Sequence, residues 1–136
     1  MPETVQPAPE RAATRDTRQR RAIRAAFLAN DRPLDANEVL ALAAGDHSGL
    51  GIATVYRNIR MLLEEGWLTP VELPGEVTHY ELAGKAHHHH FHCRTCGKVF
   101  ELNACLPAVQ ELAPEGFSVQ GHELLLFGAC RECAAA

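Results

Sequence analysis

Through the first half of the chain the apolar residues fall at helical intervals, and from about Trp67 they change to alternation. Ala22, Ile23, Ala26 and Phe27 predict a helix over Thr17 to Leu28, with Arg18, Arg21 and Arg24 turned away from its buried side. Asn30-Asp31-Arg32-Pro33 breaks it. Asp35, with Glu38 three residues on, makes a capping-box-like start for a second helix that runs through Ala44 and ends before Gly45. Gly49-Leu50-Gly51 leads into a third, Ile52 to Glu65, in which Ile52, Val55, Ile59, Leu62 and Leu63 form one apolar stripe. After Gly66, the segments Trp67 to Leu73 and Val77 to Leu82 alternate about Pro74-Gly75-Glu76, the pattern of a hairpin. Three short helices followed by a hairpin spell a winged helix-turn-helix.

Gly84-Lys85-Ala86 is the expected hinge to a second lobe, with strands near 88–93, 98–102 and 117–127 around a short helix from about Ala104 to Leu112. The expected organisation is an α+β chain: a flexible arm over 1–14, a winged-helix domain over 15–83, a hinge over 84–86 and a small metal-binding domain over 87–136. At 136 residues the second lobe is small, and bound metal would reduce the apolar core it needs. The net charge of -4 is unevenly spread, because six arginines and a single acid, Asp16, lie between Arg11 and Arg24. A basic helix of this kind suits phosphate backbones, although a solvated arginine face has the same pattern. No signal-peptide pattern and no membrane-length apolar run is visible, so a soluble, cytoplasmic protein is expected.

Composition matters most at the cysteines and histidines. Cys93-Arg94-Thr95-Cys96 and Cys130-Arg131-Glu132-Cys133 supply four thiolates in two Cys-x2-Cys pairs, the set required by a closed tetrahedral structural zinc site. Five of the six residues before Cys93 are histidines, more nitrogen ligands than one four-coordinate ion can use, so at least one further metal site is expected. In a strand these side chains alternate: His88 and His90 face one way, His87 and His89 the other. Cys105 is left over, and a small apolar residue at a helix start is its plainer reading. On the third helix, Thr54, Tyr56, Arg57, Asn58 and Arg60 combine guanidiniums, an amide, a hydroxyl and a phenol, the mixture that reads base edges and phosphates in the major groove. A solvated helix face is the bland alternative.

Taken together, several stretches resemble the ferric uptake regulator family, whose members are dimeric, metal-responsive DNA-binding repressors. They are Gly51-Ile52-Ala53-Thr54-Val55-Tyr56-Arg57, Tyr80-Glu81-Leu82, the histidine run into Cys93-Arg94-Thr95-Cys96-Gly97-Lys98-Val99, and Gly121-His122-Glu123 through Phe127-Gly128 into Cys130. The similarity runs from roughly Thr17 to Cys133, and its zinc uptake regulator branch is the nearest in kind. The resemblance implies that Cys93, Cys96, Cys130 and Cys133 brace the dimerisation lobe through zinc. It also implies a hinge site joining His88 and His90 to Glu81 and Glu101. Members often add a histidine from before the second helix, where this chain has Arg32-Pro33-Leu34. Either the site has one ligand fewer or His79 substitutes. A second regulatory site would join His87, His89 and His122 to Cys105, which stands where many relatives carry glutamate. His92 and His47 have no assigned role and are expected to be solvated or to cap the core.

A thiolate among imidazoles favours Zn2+ as the regulatory ion, with Fe2+ or Mn2+ as the alternative and a peroxide-sensing member also compatible. The resemblance implies a non-enzymatic homodimeric repressor without membrane attachment. Its metal-loaded form would hold two recognition helices against double-stranded, palindromic operator DNA upstream of metal-uptake genes. Arg57 and Tyr56 are the first choices for base contacts, and Arg18, Arg21 and Arg24 for phosphates. Two rivals are less well supported. A zinc-dependent nucleobase deaminase would use His79-Tyr80-Glu81 and a Cys-x2-Cys pair, but the proline its motif places before that pair is His92 here. A zinc-storage protein would leave the third helix without a purpose.

Overall fold

The computed structural model describes residues 10–45 and 49–136, so His47 and the first nine residues lie outside the described part. Three helices, α1 (Glu10–Ala29), α2 (Ala36–Ala44) and α3 (Ile52–Glu64), precede strands β1 (Leu68–Val71) and β2 (His79–Leu82). β1 and β2 are antiparallel, with Leu68 opposite Leu82 and Val71 opposite His79. Leu34 bridges to Tyr80 through two backbone hydrogen bonds of 2.8 and 2.9 Å, which fastens the segment before α2 to this wing.

α1 starts earlier than expected and takes in part of the expected arm, because no glycine or proline interrupts Glu10 to Ala29 and alanine and arginine are strong helix formers. α2 starts as its capping box requires. The Asp35 carboxylate accepts from the Glu38 amide at 2.7 Å, and Glu38 accepts from the Asp35 amide at 3.2 Å. The helical stripes close over one core that includes Ile23, Phe27, Leu34, Val39, Val55, Ile59 and Leu62. The α3 stripe differs from expectation at both ends: Ile52 is exposed and Leu63 only half-buried.

The second lobe is a three-stranded sheet in the order β4-β3-β5, with β3 at His89–Cys93, β4 at Val99–Leu102 and β5 at Leu125–Gly128. β4 runs antiparallel and β5 parallel to β3. Only the end of the expected 117–127 strand pairs; Phe117 and Val119 stay exposed in the segment between Gly116 and Gly121. The expected helix over 104–112 is reduced to one 3-10 turn, Val109–Leu112, since Pro107 holds the preceding residue extended. A four-residue helix not anticipated from sequence, α4 (Arg131–Ala134), carries the last cysteine.

The lobes touch at several points. Gly84, with φ 79°, turns the chain where a side chain would be strained. Val71 and Leu73 of the wing pack with Val99 and Leu125 of the second lobe. His92, buried rather than solvated, sets its Nε2 3.6 Å from Glu76 of the wing loop. These contacts bring Glu81 of β2 within reach of His88 and His90, and that placement builds the site.

Candidate metal centres and nucleic-acid face

Among the described residues, four groups of His, Cys, Asp and Glu bring their ligand atoms within 4.8 Å of one another. The first is Cys93, Cys96, Cys130 and Cys133. β3 ends at Cys93, and the chain reverses at Gly97, whose φ of 79° suits glycine, while the Gly97 amide donates to the Cys93 carbonyl at 2.8 Å. α4 then returns the second pair to the same point. Cys96 Sγ lies 3.9 Å from Cys130 Sγ, far beyond a disulfide and close to the roughly 3.8 Å edge of a tetrahedron with zinc–sulfur bonds of about 2.3 Å. The Cys96 and Cys130 amides donate to Cys93 Sγ, which pulls that thiol's pKa down to about 5. Cys133 is pushed up to about 12, first by its contact with Cys130 and then by burial and the other thiols. One ready thiolate and crowded neighbours that resist ionising together are a donor set suited to a divalent cation.

The second group is His87, His89, His122 and Cys105. The three Nε2 atoms lie 3.1, 3.1 and 3.2 Å apart, and Cys105 Sγ is 3.2 Å from His89 Nε2, 3.1 Å from His122 Nε2 and 3.7 Å from His87 Nε2. Four donors converge on one point. Protons alone cannot satisfy three mutually facing imidazole nitrogens, because each hydrogen serves one pair, whereas one cation satisfies all of them. Burial, followed by the charges of His87 and His122, lowers the pKa of His89 and leaves its lone pair available. Cys105 therefore sits among these nitrogens and not as an isolated apolar filler.

His88, just before β3, and His90, within it, meet Glu81 of β2 on the side away from the Cys105 group. His88 Nε2 is 2.9 and 3.0 Å from the two Glu81 oxygens, and His90 Nε2 is 3.1 Å from Oε2. Burial would raise the Glu81 pKa, but the hydrogen bonds from His90 and His88 outweigh it and the net shift is downward. For His88 burial pulls down, and the Ala86 carbonyl and Glu81 together push the pKa up. The two lobes thus contribute donors to one point in a cleft of about 670 Å³. Glu101, expected as a fourth ligand, lies 3.4 Å from His88 but outside the group formed by Glu81, His88 and His90, and is held by Lys85 at 2.8 Å. Lys85 also contacts Asp31 at 3.3 Å, so one ammonium bridges the lobes beside the cluster. The sequence gives no sign of this beyond a lysine in the connector.

His79 does not join that cluster, so of the two alternatives its substitution for the missing ligand is the one the structure does not bring about. Its ring turns to the start of α2, where Nε2 lies 3.9 Å from Asp35 and 3.7 Å from Glu38. Strand parity put His79 and Glu81 on one face, but parity does not say which element lies over each. Arg32, in the segment before α2, pairs with Glu38 at 2.6 Å and lies 6.0 Å over the Phe100 ring.

Residues 11–127 match the Ferric uptake regulator family. The chain belongs to it. The ferric uptake regulation protein of Campylobacter jejuni is 39% identical over 87 residues, which span 62% of this chain and 55% of that protein, little more than half its length. The peroxide operon regulator of Bacillus subtilis is 28% identical, covering 88% of this chain and 84% of its own. A solved structure of FurB from M. tuberculosis, described as a zinc uptake regulator, superposes with a TM-score of 0.52 at 29% identity, covering 92% of this chain and 99% of that one. Family membership accounts for the winged-helix lobe joined to a small α+β lobe, while these relatives are named for iron, peroxide and zinc.

The side chains expected to face nucleic acid lie on α3 and α1. Tyr56, Arg57 and Arg60 are exposed on α3 and Thr54 is half-buried. Asn58 departs from expectation: it is buried, and its amide donates to the Thr54 carbonyl at 2.9 Å. It lies one turn from Val55 and Leu62, so the helical period carries it into the stripe. On α1, Arg18 and Arg21 are exposed. Arg24 is not free in the same way, because it pairs with Glu65 at 3.2 Å and lies 5.4 Å over the Trp67 ring. Among the described residues no helix is long and apolar enough to cross a membrane.

Proposed function

We propose that the protein is a metal-dependent transcriptional repressor that binds palindromic operator DNA as a homodimer, with zinc as the regulatory ion and metal-uptake genes as targets. The observation that carries this reading is the convergence of Glu81, from the wing strand, with His88 and His90, from the second lobe. An ion at this point supplies a charge that binds both lobes at once. It therefore favours whichever lobe arrangement brings the three donors together, and its effect on DNA equals its differential affinity for that arrangement. Cys93, Cys96, Cys130 and Cys133 hold structural zinc in this reading, and the cluster containing Cys105 is the second regulatory site. The thiolate favours zinc there. Exposed Leu106, Leu112, Phe117, Leu126 and Phe127 supply apolar surface for a second copy of the chain.

Arg57 and Tyr56 meet base edges in this reading, while Arg18 and Arg21 neutralise phosphates. The test is fluorescence anisotropy on a duplex selected by the zinc-loaded protein from a randomised palindromic pool. Zinc should be required for binding, and chelation should reverse it. Arg57→Ala should relax sequence preference by about 1–3 kcal/mol, whereas Arg18→Ala should reduce the salt slope by about one. Equal binding after chelation would overturn the proposal. A second reading, regulation by Fe2+ or Mn2+, draws on the carboxylate and two imidazoles of the hinge cluster, which suit harder ions. It prevails if Mn2+ or Fe2+, but not Zn2+, restores operator binding.

A further inference from the structure

We infer that Asp35, Glu38 and His79 form a metal site within the DNA-binding lobe, separate from the three clusters described above and suited to a hard divalent ion of the Mn2+ type. The case begins at His79, whose side chain is 1% exposed. Its Nδ1–H donates to the Val77 carbonyl at 2.9 Å, which turns Nε2 toward the start of α2. That Nε2 is buried and has no hydrogen-bond partner. The nearest oxygens, Glu38 Oε1 at 3.7 Å and Asp35 Oδ2 at 3.9 Å, are too distant to accept a hydrogen bond. Neither protonation state of the ring therefore satisfies Nε2.

An ion does. Metal–ligand bonds of about 2.0–2.2 Å set neighbouring donors roughly 3–3.6 Å apart, so Nε2 needs to approach each oxygen by only a few tenths of an ångström, and all three donors already lie within 4.8 Å of one another. Both carboxylates are already partly desolvated and oriented by other bonds. Asp35 Oδ1 caps the Glu38 amide, leaving Oδ2 toward the ring, while Glu38 Oε2 holds Arg32 and Oε1 faces His79. One imidazole, two carboxylate oxygens and open positions for water suit a harder ion than the thiolate clusters do. Such an ion would tie the start of α2 to the wing strand and so fix the wing against the helices that present α3. It would also act on Arg32, which lies between Glu38 and the Phe100 ring of the second lobe.

Asp35→Asn combined with Glu38→Gln tests this without undoing the helix start, since asparagine caps as well as aspartate and glutamine serves in the capping box. Full-length protein preloaded with zinc is titrated with Mn2+, and free Mn2+ is followed by electron paramagnetic resonance. The parent should take up about one ion per chain more than the double variant. In parallel, the His79 side-chain nitrogens are followed by 15N spectroscopy as Cd2+ is added, and Nε2 should shift as a metal-bound nitrogen does. Equal Mn2+ uptake by the two proteins, or a His79 Nε2 that does not respond to metal, would overturn the inference. Because neither readout involves DNA, the result stands apart from the repressor reading.

Discussion

Lys85 is the residue at which the lobe junction is most open to a quantitative test. Its ammonium lies 2.8 Å from Glu101, whose side chain is 7% exposed, and Glu101 in turn lies 3.4 Å from His88 Nε2. Burial alone would lower the Lys85 pKa, but the hydrogen bond and charge of Glu101, followed by those of Asp31, raise it, so the side chain stays cationic. An ion that recruits Glu101 to the hinge cluster must displace that ammonium. A hydrogen bond between charged groups contributes about 1.5–3 kcal/mol net. The arm to Asp31, a residue 85% exposed, adds little after screening. Lys85→Met should therefore tighten hinge binding of Mn2+ by roughly 10- to 100-fold, at about 1.4 kcal/mol per tenfold. The assay is isothermal titration into protein whose thiolate clusters are filled with zinc. Lys85→Arg serves as the charge-retaining control, and Glu101→Gln closes a double-mutant cycle. The gain should vanish in the Glu101→Gln background. Unchanged or weaker affinity in Lys85→Met, or a gain that survives loss of the Glu101 charge, would refute the reasoning.

Other perturbations address the remaining clusters. Cys105→Ala should weaken zinc binding at the histidine cluster by at least about tenfold; an unchanged zinc titration would exclude Cys105 as a ligand. Reloading the four-cysteine site with zinc at neutral pH should release at least two protons per ion but fewer than four, measured by indicator dye, because Cys93 is already a thiolate while Cys96 and Cys133 are held protonated. At the hinge, the raised His88 pKa means that its tie to Glu81 in metal-free protein is fully present below 6.5 and fades as pH rises through the folded value. The lowered Glu81 pKa makes its share present above 4.5 and lost as pH falls through its folded value. Metal-free thermal stability should thus gain most from this pair between those two pH values. Mn2+ affinity should rise from about pH 6 to pH 8 as the competing proton leaves His88; a flat profile would count against that competition.

Much of this was legible along the chain because it depends on local geometry. The capping box of Asp35 and Glu38 formed as its spacing required, and strand alternation separated His88 and His90 from His87 and His89 before any partner was known. Less of the second lobe could be seen. Pro107 reduced an expected helix to one 3-10 turn, and the residues around Gly121 gave no strand until Leu125 met β3. The chemistry of Asn58 suits the exposed face, yet an amide able to reach the carbonyl one turn back tolerates burial. Backbone periods of 3.6 and 2 residues follow from covalent geometry, so the sequence alone determines which side chains share a face and which termini are capped. Which groups then meet is decided by sheet pairing and by the way the lobes dock. Only the folded chain turns His79 toward Asp35 and Glu38 and sets Lys85 against Glu101, because such contacts depend on differences of tenths of an ångström between segments far apart in sequence.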